Sequence, residues 1–102
     1  MLDLITEHAG EMAELCRKHH VKTLELFGSA VNGKFDPATS DLDFLVDFAE
    51  IPLGQRSKAY FGLWFGLEDL YLRKVDLVQT SAIKNPYFLK TVNENRQVVY
   101  AA

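Results

Sequence analysis

Apolar residues recur at three- and four-residue intervals over the first twenty positions, where Ile5, His8, Met12, Leu15, Cys16 and His19 share one face of a helix that Asp3 is placed to cap. Gly10 inside it costs about 1 kcal/mol relative to alanine. The period then shortens to two. Thr23 to Phe27 reads as a short strand, and Asp41 to Phe48 as a second, with Leu42, Phe44, Val46 and Phe48 on one face and Asp41 and Asp43 on the other. Between them a short helical turn from Ser29 toward Gly33 is stopped at Asp36-Pro37, because the residue before proline is pushed out of the helical region. Ser57 to Arg73 predicts a long helix. Its residues Tyr60, Phe61, Leu63, Trp64, Phe65, Leu67, Leu70, Tyr71 and Leu72 cover more circumference than one buried stripe needs, so part of it is expected to meet another chain. Lys74 to Val78 forms a third strand, Asn85-Pro86 opens a further helix, and Val98-Val99-Tyr100 adds an edge strand. Strands separated by helical stretches predict an α/β (α+β) architecture.

Composition narrows the class. At 102 residues and 48% hydrophobic content the expectation is one domain over 1–102, able to bury a core without staples. Fourteen acidic against eleven basic side chains, a net charge of −3, leave no basic footprint for nucleic acid as a standing partner. Cys16 is the single cysteine, so no internal disulfide is available. No leader and no apolar run of membrane-spanning length appear, which predicts a cytoplasmic protein with no membrane partner.

The candidate chemistry lies at three places. Gly28 ends an apolar-leaning strand, where the missing side chain lets a phosphate approach the backbone, and Ser29 can cap a turn whose free N–H groups face an anion. Asp41 and Asp43 project from one strand face, and Asp76, on a strand of its own, can converge with them. Magnesium takes oxygen ligands from one or two carboxylates, water and substrate phosphates, and two such ions clamp the attacking and leaving oxygens of an in-line displacement. Asp41, Asp43 and Asp76 are therefore the candidate catalytic and metal-binding residues, and Gly28 and Ser29 the candidate nucleotide-binding ones. Asp36 and Asp47 read as solvated charges. Gly28 through Gly33-Lys34 approaches a P-loop pattern but has Phe35 where a magnesium-binding Ser or Thr is required. Cys16, His19 and His20 have helical spacing but no second ligand cluster to complete a zinc site, which favours a packed cysteine and two helix-end histidines.

The run Leu26-Phe27-Gly28-Ser29, then Gly33, then Ser40-Asp41-Leu42-Asp43-Phe44-Leu45-Val46, then Lys74-Val75-Asp76-Leu77-Val78 resembles the minimal nucleotidyltransferase (MNT) family of the DNA polymerase beta superfamily. The resemblance spans nearly the whole chain. It implies a mixed β-sheet flanked by helices, with Gly28 and Ser29 at the nucleoside triphosphate. Asp41 and Asp43 then bind magnesium, and Asp76 completes the metal site and activates an acceptor hydroxyl. It further implies transfer of a nucleoside monophosphate, AMP from ATP, to a partner HEPN-domain toxin, this chain being the antitoxin. Many relatives carry an arginine between the serine and the second glycine. Here Ala30, Val31 and Asn32 occupy that stretch, so the resemblance leaves Lys34 or a partner's residue to supply the cation. Two other readings remain: a binding module that neutralises its partner by occlusion without catalysis, and an enzyme modifying a small molecule such as an antibiotic.

Overall fold

A computed structural model describes residues 3–31, 35, 36, 38, 40–82 and 96–102, with Ser29 described by its backbone alone. The elements in chain order are α1 (Asp3–Glu7), α2 (Ala9–Lys18), β1 (Val21–Phe27), β2 (Leu42–Phe48), α3 (Arg56–Tyr71), β3 (Val75–Gln79) and β4 (Gln97–Ala101). Short 3-10 turns cover Gly28–Ala30 and Thr80–Ala82. The strands form one mixed sheet in the order β3-β2-β1-β4, with β1 antiparallel to both neighbours and β2 parallel to β3. The predicted strands are all present, each within two residues of its expected ends. The single N-terminal helix is instead two: it breaks at His8, two residues before Gly10, where helix propensity is weak, and Asp3 is already helical. The helix expected from Asn85-Pro86 lies outside the described residues.

One face of the sheet carries the core. Leu24, Leu26, Leu42, Phe44, Val46, Val75 and Leu77 are buried there against Ile5, Met12 and Cys16 of the N-terminal helices and Leu63, Leu67 and Tyr71 of α3. Two glycines set the distance between α2 and α3. A Cβ on Gly62 would lie 2.4 Å from the His19 ring and one on Gly66 2.5 Å from Leu15. Glycine inside a helix costs about 1 kcal/mol, and here the cost is offset by letting Leu15 of α2 and His19, the residue that caps it, seat directly on the backbone of α3.

The surplus aromatic surface of α3 is partly explained by the edge of the sheet. Strand β3 is an edge strand whose outward backbone groups need partners. Three side chains one helical turn apart provide them: Tyr60 donates to the Leu77 carbonyl, Trp64 Nε1 to the Val75 carbonyl at 2.7 Å, and the Val75 N–H donates to Glu68 Oε2 at 3.0 Å. Phe61 and Phe65 stay exposed, at 46% and 58%. Both run nearly parallel to the Trp64 ring, at interplanar angles of 14° and 15°. No helix among the described residues is long and apolar enough to cross a membrane.

Candidate active site

The second face of the sheet bears the carboxylates. Register places Phe27 opposite Asp43, and Asp43 opposite Asp76, so one row of residues crosses three adjacent strands. Alternation along β2 sends Leu42, Phe44 and Val46 into the core, which obliges Asp43 to face the other way. Leu45 and Phe27 are buried on this face too and pack with Val78, a small apolar cluster bordering the acids. Phe27, Asp43, Trp64, Asp76, Leu77 and Val78 line a cavity of about 400 Å³ at the edge of the sheet formed by β3. A somewhat larger hollow of about 470 Å³ beside Glu50, Ile51, Leu53, Gly54, Arg56 and Ser57 has no apposed acids.

Gly28 leaves β1 with φ +72°, in the left-handed region. An added Cβ would sit 2.4 Å from Asp43 Oδ2, so glycine is required both by the turn and by the approach of the carboxylate. The following 3-10 turn is closed by Val31 N–H to the Gly28 carbonyl at 3.1 Å. Upstream of β2, the Asp36 carboxylate accepts the Ala38 N–H, and Ser40 Oγ accepts the Asp36 N–H, both at 2.9 Å. Asp36, expected as a solvated loop charge, is exposed in a loop, and its carboxylate also bonds the turn that precedes Asp41. Arg73 pins the same loop, its guanidinium 5.1 Å from the Phe35 ring centroid and its NH1 3.4 Å from the Ser40 carbonyl.

The carboxylates repel one another. Burial first, then the charge of Asp76, a hydrogen bond to Asp76 and the charge of Asp41 push the Asp43 carboxyl up to about 6 from an ordinary 3.8. All four influences act in the same direction. Burial, then the Asp76 charge, also raises the Tyr60 hydroxyl. Asp43 and Asp76 are thus brought together, while Asp41, just before β2, acts on Asp43 through its charge. Among the described residues no three His, Cys, Asp or Glu side chains gather closely enough to enclose a metal by themselves. A magnesium ion needs no more than one or two carboxylates when water and phosphate complete its shell, so an apposed pair of carboxylates beside a nucleotide-sized cavity fits it.

Sequence reasoning missed Trp64 as a wall of this cavity and Phe27 and Val78 as its apolar border. Trp64 had a usable signal, the spacing Tyr60, Trp64, Glu68, but nothing in the sequence ties that stripe to β3. Cys16 is not a metal ligand: it is fully buried, and burial pushes its thiol up to about 12.

Comparison with known proteins shows the family and the fold. The nucleotidyltransferase domain profile matches residues 11–99, and the chain belongs to that family. It is 38% identical to the protein adenylyltransferase MntA of Thermococcus cleftensis over 97 residues, 95% of this chain and 88% of the relative. Its fold is similar to a chain in a toxin-antitoxin crystal structure with AMP-PNP, at a TM-score of 0.66 and 21% identity, covering 92% of this chain and 73% of that one. It is also similar to a chain in the complex of a tri-AMPylated Shewanella oneidensis HEPN toxin with its MNT antitoxin, at a TM-score of 0.64 and 18% identity, over 96% of this chain and 73% of that one.

Proposed function

We propose that this protein is a magnesium-dependent protein adenylyltransferase that moves AMP from ATP to a hydroxyl of a HEPN-domain toxin, and so acts as its antitoxin in the cytoplasm. The observation that carries the reading is the row Phe27, Asp43, Asp76 ending at the left-handed Gly28, which sets two mutually repelling carboxylates beside a phosphate-sized turn. The relatives' names supply the acceptor class.

The turn at Gly28 and Ser29 receives the phosphates through backbone N–H groups. Asp43 and Asp76, with Asp41 at the strand entry, would hold magnesium, which when bound would neutralise charge on the phosphates and the leaving group. Asp76 accepts the proton of the acceptor hydroxyl. The acceptor oxygen forms a bond to the α-phosphorus, the bond from that phosphorus to the bridging oxygen breaks, and pyrophosphate departs with the electron pair.

Intact-mass spectrometry of the toxin after incubation with this protein, ATP and magnesium tests the proposal. A mass increase of one AMP residue per modified hydroxyl is expected. Full suppression of the toxin in a stable complex, with no mass change for any of the four ribonucleoside triphosphates, would establish occlusion instead.

The exposed rings of Phe61 and Phe65 stand next to Trp64 at the cavity wall, and we assign them to the toxin's docking face. Phe61→Ser and Phe65→Ser should each weaken toxin binding about 10- to 100-fold by titration calorimetry. Melting temperatures of the free variants should stay close to the parent's, because each side chain is already about half exposed to water.

A further inference from the structure

The candidate site apposes Asp43 and Asp76, with Asp41 just before β2, and the Gly28 turn against Asp43 continues into Ala30 and Val31, which pack against the core instead of offering a cation. A triphosphate brings still more negative charge to this end of the sheet. Lys34 lies outside the described residues, and the cations described near the carboxylates are Arg73 and Lys74. Arg73 is committed to the Phe35 ring and the Ser40 carbonyl. Lys74 is exposed and makes no ion pair or side-chain hydrogen bond among the described residues.

Its position follows from the ladder. Leu42 N–H donates to the Lys74 carbonyl at 3.2 Å, so the parallel pairing of β2 with β3 continues one residue before Val75. Leu42 pairs with Val75 and Asp43 with Asp76, and one more step places Lys74 beside Asp41. Lys74 precedes Asp76 by two residues, so the two side chains leave the same face of the strand, about 7 Å apart at the backbone. A four-carbon stem ending in a compact ammonium spans that interval. An ammonium serves phosphate as a point charge, without demanding the planar fork that guanidinium does.

From this placement we infer that Lys74 is the protein's own cation for the β- and γ-phosphates of ATP, and that it holds the pyrophosphate as it leaves. The inference rests on the nucleotidyltransferase reading above and adds to it a named phosphate ligand from β3. Lys74 then acts on the leaving group across the carboxylates from the Gly28 turn. The competing role is a charge partner for Asp41 with no part in phosphate binding.

The test compares the parent with Lys74→Ala and Lys74→Arg, each as the full chain with its toxin. Lys74→Ala should raise the KM for ATP and the inhibition constant of pyrophosphate about 10- to 100-fold, the range of one charge-assisted contact. It should also shrink the rise in melting temperature that pyrophosphate with magnesium gives the toxin-free protein. Lys74→Arg should recover most of each effect, and the melting temperature without ligand should stay at the parent's value. Unchanged pyrophosphate inhibition and thermal shift in Lys74→Ala overturn the inference, as does a loss confined to unliganded stability, which would make Lys74 a partner of Asp41. The two readings fail separately. If the parent transfers no AMP yet binds ATP and pyrophosphate in a Lys74-dependent way, the transferase reading falls and the phosphate role stands; if the parent transfers AMP and Lys74→Ala does so equally well, the reverse holds.

Discussion

Asp43→Asn is expected to abolish AMP transfer, by about 10³-fold or more, while making the ligand-free protein more stable at neutral pH. The two effects have one origin. The asparagine keeps the shape of the side chain but removes the charge needed at the metal and the charge that Asp41 and Asp76 repel. Because the folded-state pKa of Asp43 is raised from 3.8 to about 6, the native protein holds a proton through this interval that the unfolded chain has already lost. Stability attributable to this group therefore falls as pH rises from about 4 to about 6, and the deficit is complete above that. The full displacement would correspond to about 3 kcal/mol, and solvent screening of a half-buried carboxyl reduces it to about 1 kcal/mol. Thermal unfolding should accordingly place Asp43→Asn about 4 to 8 °C above the parent at pH 7.5. At pH 4 the two should coincide. Magnesium with a nucleotide should raise the parent's melting temperature by mass action and leave the variant's nearly unmoved. A variant that melts no higher than the parent at pH 7.5, or that retains transfer, would show that Asp43 is not part of one acidic site.

Gly28→Ala should be the most damaging added methyl among the described glycines for catalysis, because it alone combines a positive φ with a clash against a site carboxylate. The residue sits at φ +72°, a conformation that costs an L-residue about 1 to 2 kcal/mol, and the new methyl would meet Asp43 Oδ2 at 2.4 Å. Gly54 supplies the control, with φ +82° and nothing within 4 Å of its added Cβ. Gly54→Ala should therefore lose only the conformational part of the stability and none of the activity. Gly28→Ala should lose that part and, because Asp43 must turn aside, about 10²-fold in kcat as well, since a displacement of about 1 Å in a reacting constellation is felt on that scale. Urea unfolding and toxin AMPylation, measured side by side on the two variants, separate these contributions. Equal activities would mean that the Gly28 turn does not position Asp43.

Much of this was legible along the chain. Alternation from Leu42 to Phe48 assigned Asp43 and the core residues to opposite faces correctly, because in a half-buried strand the pleat leaves no other choice, whereas Asp41 falls just before the strand. The strand ends fell close to their predicted places for the same reason. The break at His8 and the turn-building role of Asp36 were less visible, since both depend on local hydrogen bonds that compete nearly evenly with their alternatives.

The sequence by itself supplied the candidates: a glycine at a strand end, and three aspartates in or just before strands, of which alternation keeps Asp43 and Asp76 off the core face. Only the tertiary structure decided their company. That β2 and β3 are parallel neighbours with Asp43 opposite Asp76 is a fact of sheet order and register, set by how the whole hydrophobic face packs, and it alone turns two distant acids into a repelling pair. The fate of the α3 aromatics was decided the same way. Their spacing promised surplus apolar surface, but which rings would bond the bare edge of β3, as Tyr60 and Trp64 do, and which would remain in water, as Phe61 and Phe65 do, depended on where that edge lay. Periodicity reports which face of an element is apolar, whereas the partner that covers the face is chosen by long-range packing that local sequence does not encode.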